Sequence, residues 1–284
     1  MESRHWLVVG STSRIGSELI TFLKDAGETV LSTSRNGKNG DLAFDLTQDT
    51  LDVIAPSSRG ICVVCLGVTR LQDCEDDPEA SYRVNVALTQ QLSRSLLRRG
   101  WKVILFSSDA VFGKVYGNPN TSRSKLHPET EYGRQKLALE DTMLNVEGVN
   151  VIRLSKVVSA RQDPWKKWLH DLNDARNVEA FSDYFLRPVH MLDVLRAILV
   201  ISGERQSGLW EVVGRSELSY AEFLSVMAHS LGTGGTVSAV SGADIVPVGK
   251  SAPTDVCRLE ETGKWAMPKP EEVARALVDE FRSI

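Results

Sequence analysis

No stretch of this chain approaches the roughly 20 consecutive apolar residues that a membrane-spanning helix requires, so a helical membrane protein is excluded. There is no basic run either. Lys and Arg number 33 against 37 Asp and Glu, for a net charge of −4, which leaves no electrostatic footprint for nucleic acid or an anionic membrane surface. Cysteine is scarce, with four in 284 residues, and their spacing makes neither a disulfide framework nor a metal-ligand pattern. Cys62 and Cys65 do form a C-x-x-C, but inside the apolar run Ile61–Leu66. Residues three apart on a strand face opposite sides, so that pair is no redox or metal site. The opening Met1–Val9 gives way at once to glycine and polar residues, which is not the pattern of a secretory leader. A reducing cytoplasm is the expected compartment.

What is present begins with Trp6-Leu7-Val8-Val9, a short apolar run, followed by Gly10-Ser11-Thr12-Ser13-Arg14-Ile15-Gly16. A helical pattern of Ile15, Leu19, Phe22 and Leu23 comes next and stops near Gly27; Thr29–Ser34 then reads as a second strand. Strand, glycine turn, helix and strand within about 30 residues is the setting of a dinucleotide-binding turn. Gly10 suits the tight turn and Gly16 the close helix–strand packing, while helix N–H groups face a pyrophosphate. Ser13 stands where the middle glycine of that fingerprint belongs; its small side chain still leaves phosphate room to approach. At the end of the second strand stand Thr33, Ser34 and Arg35, without the acid that binds a ribose 2′-hydroxyl. Arg35 can grip a 2′-phosphate bidentately, and Arg14 adds a second charge. NADP(H) is therefore favoured over NAD(H).

Further along, Asp41–Leu46 reads as a third strand, with Asp45 and Leu46 bordering the adenine, and Ile61–Leu66 as a fourth, with Gly67 at its carboxyl end approaching the cofactor. One long helix follows, N-capped by Asp77, with Pro78 first, a stripe of Val84, Leu88, Leu92 and Leu96, and an end at Gly100. Asn85 lies beside that stripe and reads as a boundary residue. Lys102–Phe106 is a fifth strand, so Ser107, Ser108 and Asp109 stand at its carboxyl end, where open α/β sheets bind ligands. The loop Gly113–Thr130 leads to a helix carrying Tyr132 and Lys136, four residues apart and so on one face. An ammonium held there favours the tyrosinate, suiting Tyr132 to acid–base work beside a redox cofactor. Val149–Leu154 and Leu209–Val213 complete the strands; Pro164–Leu172, Leu192–Ile201, Tyr220–Leu231 and Pro270–Phe281 read as helices.

The pattern is that of an α/β protein with a Rossmann-like, doubly wound parallel sheet and a smaller C-terminal lobe. Residues 1–160 read as the nucleotide-binding domain, with 189–215 returning to it. Residues 161–188 and 216–284 read as the substrate-binding lobe.

The glycine turn, Asp45-Leu46, Val84-Asn85-Val86, Ser107-Ser108-Asp109, Tyr132 with Lys136, Arg153-Leu154 and Arg187-Pro188 occur in the order found in extended short-chain dehydrogenase/reductases. Within them the chain most resembles the dTDP-4-dehydrorhamnose reductase group, from Leu7 to about Phe223. The resemblance implies hydride transfer to a carbonyl of a keto sugar or nucleotide sugar. Tyr132 would exchange the proton, Ser108 would hydrogen-bond the reacting oxygen, and Lys136 would hold the nicotinamide ribose and depress the Tyr132 pKa. Asp109, Arg187, Trp165 and Trp168 would face the substrate, with Arg187 pairing a phosphate. The group's aromatic residue after the aspartate is replaced by Ala110. Two alternatives share this residue set: a cofactor-retaining nucleotide-sugar epimerase or dehydratase, and a non-catalytic NADP-binding regulatory subunit. A small-molecule partner is implied and a homo-oligomer stays open.

Overall fold

The computed structural model describes residues 5–38, 41–49, 54, 59–113, 126–242 and 258–284. The chain divides into two compact units. One comprises Met1–Val111, Pro128–Arg153 and Ile198–Trp210; the other comprises Phe112–His127, Leu154–Ala197 and Glu211–Ile284.

In the first unit, β1 (His5–Val9) is buried from Trp6 to Val9, the continuous apolar run of a central parallel strand covered on both faces. Helix α1 (Arg14–Asp25) turns Leu19 and Leu23 inward, and Gly27, at φ +77°, reverses the chain into β2 (Thr29–Ser34). Strand β3 is only Leu42–Ala43, shorter than the expected Asp41–Leu46. The side chains on either side leave the ladder: Asp41 accepts from Ser11 and Ser32, and Asp45 accepts from the Thr47 N–H and hydroxyl. Strand β4 is Ile61–Val64.

The expected long helix is broken. It comprises α2 (Leu71–Asp76), α3 (Pro78–Tyr82), a π-helical turn over Arg83–Leu88, and α4 (Thr89–Arg98). Asp77 caps Ala80 N–H, with Pro78 at the first position, as the sequence indicates. The π turn brings both Asn85 and Val86 into the interior. Strand β5 (Lys102–Ser108) extends two residues beyond its expected end, and α5 (Glu131–Met143) is capped by Thr130 on Gly133 N–H. Of the expected loop Gly113–Thr130, residues 114–125 lie outside the described residues. Strand β6 is Val149–Leu154. From β6, Arg153 donates Nε and Nη2 to the two oxygens of Glu140 at 2.9 and 2.6 Å, a bidentate pair with both partners buried.

Next come β7 (Lys156–Val158), α6 (Trp165–Asn173), β8 (Asn177–Phe181), β9 (Phe185–Leu186), β10 (Pro188–His190) and α7 (Met191–Gly203). They are followed by β11 (Gly208–Val212), β12 (Leu218–Ser219), α8 (Tyr220–Leu231), β13 (Thr236–Val240), α9 (Arg258–Glu261) and α10 (Pro270–Arg282). The seven-stranded sheet runs β11-β6-β5-β4-β1-β2-β3. Strand β1 pairs in parallel with β2 and with β4, so the chain leaves β1 in opposite directions. A cleft for a ligand opens at the carboxyl ends of strands at such a reversal.

In the second unit β7 pairs with β10, β9 with β12, and β8 with β13. The β7–β10 pairing keeps residues 188–190 there, so the returning segment is shorter than 189–215. Its core gathers Trp165, Leu169, Leu172, Phe223, Leu224, Met227, Leu277 and Val278.

Candidate functional site

The cleft of the first unit follows from the turn after β1. Gly10 has φ +98°, a conformation that favours glycine. A Cβ on Gly16 would lie 2.3 Å from Gly10 O and 2.7 Å from Ser13 Oγ, so only glycine lets α1 start this close to the strand. Ser13 does more than replace a glycine. Its Oγ accepts from Gly16 N–H at 3.0 Å and donates to Gly10 O at 2.9 Å, which caps the helix and closes the turn with one hydroxyl.

That turn forms one wall of a cleft of 520 Å³. Gly10, Thr12, Thr33, Ser34, Arg35, Asp45, Leu46, Gly67 and Val68 line it. Ser11 is buried behind the surface, with its hydroxyl on Asp41 at 2.5 Å; Arg14 is exposed and Ile15 half-buried. The cradle that a Cβ at 16 would fill, the small residues at 10–13 and the apolar Leu46 suit a dinucleotide. At the far end the guanidinium of Arg35 lies 3.4 Å from the carboxylate of Asp45. Asp41 is a second acid that strand-by-strand reading missed. Burial raises its carboxyl, but bonds from Ser11, Ser32 and Ser34 and the charge of Lys24 bring it below the usual range.

The residues expected to do the acid–base work gather where β5 ends. Gly133 allows α5 to approach, since a Cβ there would lie 2.5 Å from Ala110 O. Ser108, buried, donates to Asp109 at 3.0 Å and accepts from Ala110 N–H at 3.2 Å. The Ser108 hydroxyl also acts on Tyr132, which is half-buried, in the direction that lowers its pKa. Lys136 is buried, donates to Phe106 O at 2.9 Å, and holds its ammonium 5.5 Å from the Tyr132 ring centroid. Burial brings its pKa down to about 8, against smaller upward effects of Cys74 and Glu140.

The expected depression of the Tyr132 pKa is reversed. Burial, with the charges of Asp109 and Cys74, pushes the phenol well above its ordinary range and outweighs the Ser108 hydrogen bond. The Lys136 ammonium is spent on a backbone carbonyl, and desolvation dominates.

Two further residues complete this group. Asn85 accepts from Val68 N–H at 2.8 Å and donates to Val68 O at 2.9 Å, so it clamps the cleft wall after β4. Gln135, 1% exposed, accepts from Asn85 at 2.7 Å and donates to Ser81 Oγ at 2.8 Å. The cue in the sequence was an amide beside an apolar stripe, but its partner fifty residues away left no local mark.

The remaining expected site residues belong to the second unit. Trp165 is 2% exposed and packs in the core, 5.9 Å from Tyr220 in a stacked pair and edge-on to Phe223. It lines no ligand surface, because it shares the inward face of α6 with Leu169 and Leu172. Arg187 is buried and donates to Arg215 O at 3.5 Å. The aromatic residue facing space is Trp168. With Pro164, Phe181, Tyr184, Tyr220 and Glu179 it lines a cavity of 320 Å³. Cys62 and Cys65 have thiols raised by burial, to about 12 for Cys65. Among the described residues no cluster of His, Cys, Asp or Glu could hold a metal ion, and no helix is long and apolar enough to cross a membrane.

The sequence model described as RmlD substrate binding domain matches residues 4–267. A dTDP-4-dehydrorhamnose reductase of Sinorhizobium fredii is 28% identical over 258 residues, covering 84% of this chain and 86% of its own. A dTDP-4-keto-6-deoxy-D-glucose reductase of Streptomyces niveus is 24% identical over 233 residues, covering 80% and 78%. Among solved structures, dTDP-4-dehydrorhamnose reductase of Bacillus anthracis in complex with NADP superposes with a TM-score of 0.80 at 17% identity, covering 98% of this chain and 99% of that one.

Proposed function

The chain belongs to the RmlD substrate-binding-domain family, and from that premise we propose that it is an NADP(H)-dependent reductase of a keto sugar carried on a nucleotide. The observation that carries the reading is the gathering of Ser108, Tyr132 and Lys136 at the end of β5, with the Lys136 ammonium 5.5 Å from the Tyr132 ring centroid.

The nicotinamide cofactor supplies the hydride when bound. The chain's own residues handle the proton. With its pKa raised, Tyr132 is a neutral phenol throughout the neutral range, the form that donates a proton to a carbonyl oxygen as negative charge develops there. Ser108 offers a second hydrogen bond to that oxygen. Lys136, charged below about pH 8, can bind ribose hydroxyls. Gly10–Gly16, Asp45, Leu46 and Gly67 hold the cofactor, and Arg35 favours NADP(H) over NAD(H) through a 2′-phosphate.

The relatives' printed names point to a 4-keto-6-deoxyhexose on a thymidine nucleotide. The aromatic walls at Trp168, Phe181, Tyr184 and Tyr220 suit a planar base by stacking.

The test is NADPH consumption by purified protein with a dTDP-4-keto-6-deoxyhexose. Tyr132→Phe should lower kcat by about 100-fold or more. Turnover of a nucleotide sugar without NADPH consumption would overturn the reading in favour of a cofactor-retaining epimerase or dehydratase. Tight NADPH binding without turnover of any keto sugar would favour a regulatory subunit.

A further inference from the structure

We propose that Glu140 is a positioning residue for Lys136: it holds the ammonium in its charged form at the end of β5, and Arg153 sets how strongly it does so. The inference rests on the reading that Lys136 meets the cofactor as an ammonium.

Tyr132, Lys136 and Glu140 follow one another at intervals of four along α5, so they form one row on one face of the helix. The row runs inward. Tyr132 is half-buried, whereas Lys136 is 7% exposed and Glu140 2%. Two of its members are fastened to neighbouring strands of the sheet. Lys136 donates to Phe106 O of β5 at 2.9 Å, and the two oxygens of Glu140 accept from Arg153 of β6 at 2.9 and 2.6 Å. One buried carboxylate therefore serves two buried cations, Arg153 through hydrogen bonds and Lys136 through its field along the helix face.

Burial drives Lys136 towards the neutral amine, and its hydrogen-bond partner Phe106 O carries no charge to oppose that. Two groups favour the ammonium: Cys74 from α2 and Glu140 from its own helix. Burial raises the Cys74 thiol, so it is neutral where Lys136 titrates. That leaves Glu140, among the described residues, as the anion that acts on Lys136. The turn after β5 brings Asp109, which acts on Tyr132. The π turn brings the amide of Asn85, and α4 brings Arg94, exposed and bonded to Thr142 O near the far end of α5. The two charges of the buried pair act on Lys136 in opposite directions. Neutralising Glu140 removes the attraction and leaves Arg153 unbalanced, whereas neutralising Arg153 leaves Lys136 as the only cation for Glu140. If the pair did no more than fasten α5 to β6, either change would weaken the site alike and neither would move a titration.

The experiment measures the NADPH dissociation constant by fluorescence titration, from mildly acidic pH up to the ordinary lysine range. The wild type should bind evenly below about pH 8 and more weakly above it. Glu140→Gln should move that midpoint down by about one unit, and Arg153→Met should move it up by about as much, the scale of a nearby charge. The double variant Glu140→Gln/Arg153→Met leaves no lone buried charge, so it folds where a single variant fails. Its midpoint should fall by less than that of Glu140→Gln, because the repulsion from Arg153 is lost as well. If Lys136→Met keeps the wild-type decline, the reading of Lys136 itself fails. If Lys136→Met abolishes the decline but the midpoint stays in place in the variants that fold, Glu140 only fastens α5 and its role toward Lys136 is overturned. Movement of the midpoint in the same direction in both single variants overturns that role as well.

Discussion

Asn85 and Gln135 meet side chain to side chain at 2.7 Å, fifty residues apart in sequence. Through Asn85 the contact reaches both backbone groups of Val68 in the cleft wall; through Gln135 it reaches α5, one residue from Lys136. The helix that carries Tyr132 is thereby tied to the loop that borders the cofactor cleft. Gln135→Leu leaves Ser81 and Asn85 each short of one buried partner. It should cost about 1–3 kcal/mol of stability, read as a lower urea midpoint, and should weaken cofactor binding. Unchanged cofactor affinity in the folded variant would show that the clamp on Val68 does not depend on Gln135.

Lys136 makes the pH dependence specific. Its charged form predominates below about pH 8, well under the ordinary lysine range. For cofactor capture, kcat/KM reports the free enzyme, so it should be level below that pH and decline above it as the ammonium is lost. A profile that stays level to about two units higher, where an unperturbed lysine titrates, would remove the ammonium from cofactor capture. The decline should be absent in Lys136→Met, whose kcat/KM should be uniformly low.

Features that depend on neighbours in sequence were legible. The run Trp6–Val9, the turn to Gly16 and the inward pair Leu19 and Leu23 specify strand, turn and helix within one short stretch. Tyr220–Leu231 is the helix expected, with a capping box from Ser219 and Glu222 and a left-handed Gly232 to end it. What escaped reading depends on distant partners. The Arg35–Asp45 contact joins the loops after β2 and β3, and the Ser11–Asp41 contact reaches from the turn after β1 past β2 to the residue before β3. Strand β13 forms only because β8 lies beside it in parallel. The π turn at Asn85 breaks the periodicity on which a single long helix was inferred. Trp165 and Trp168 were separable in principle, since Trp165 is in phase with Leu169 and Leu172. That phase marks the core tryptophan, and the other is the one left to line the cavity.

Glu280 closes the second unit in the same long-range way. From α10 its carboxylate accepts from Ser159 Oγ at 3.1 Å, Ala160 N–H at 2.7 Å and His190 Nε2 at 3.1 Å, and pairs with Arg161 Nε at 3.2 Å. Leu192 N–H donates to His190 Nδ1, which assigns the ring proton to Nε2. Burial raises the Glu280 carboxyl, but the bonds from His190, Ala160 N–H and Ser159 more than offset it, and the net shift is downward. A folded-state pKa below the unfolded one contributes stability at pH above the unfolded value, lost as pH falls through the folded value. Glu280→Gln should therefore cost about 1–3 kcal/mol at neutral pH, and the difference from wild type should shrink as the pH is lowered below about 4.5. Urea midpoints of both proteins at neutral pH and near the carboxylate range decide it. A difference that stays constant across that range would assign the stabilisation to the shape of the side chain rather than to its charge.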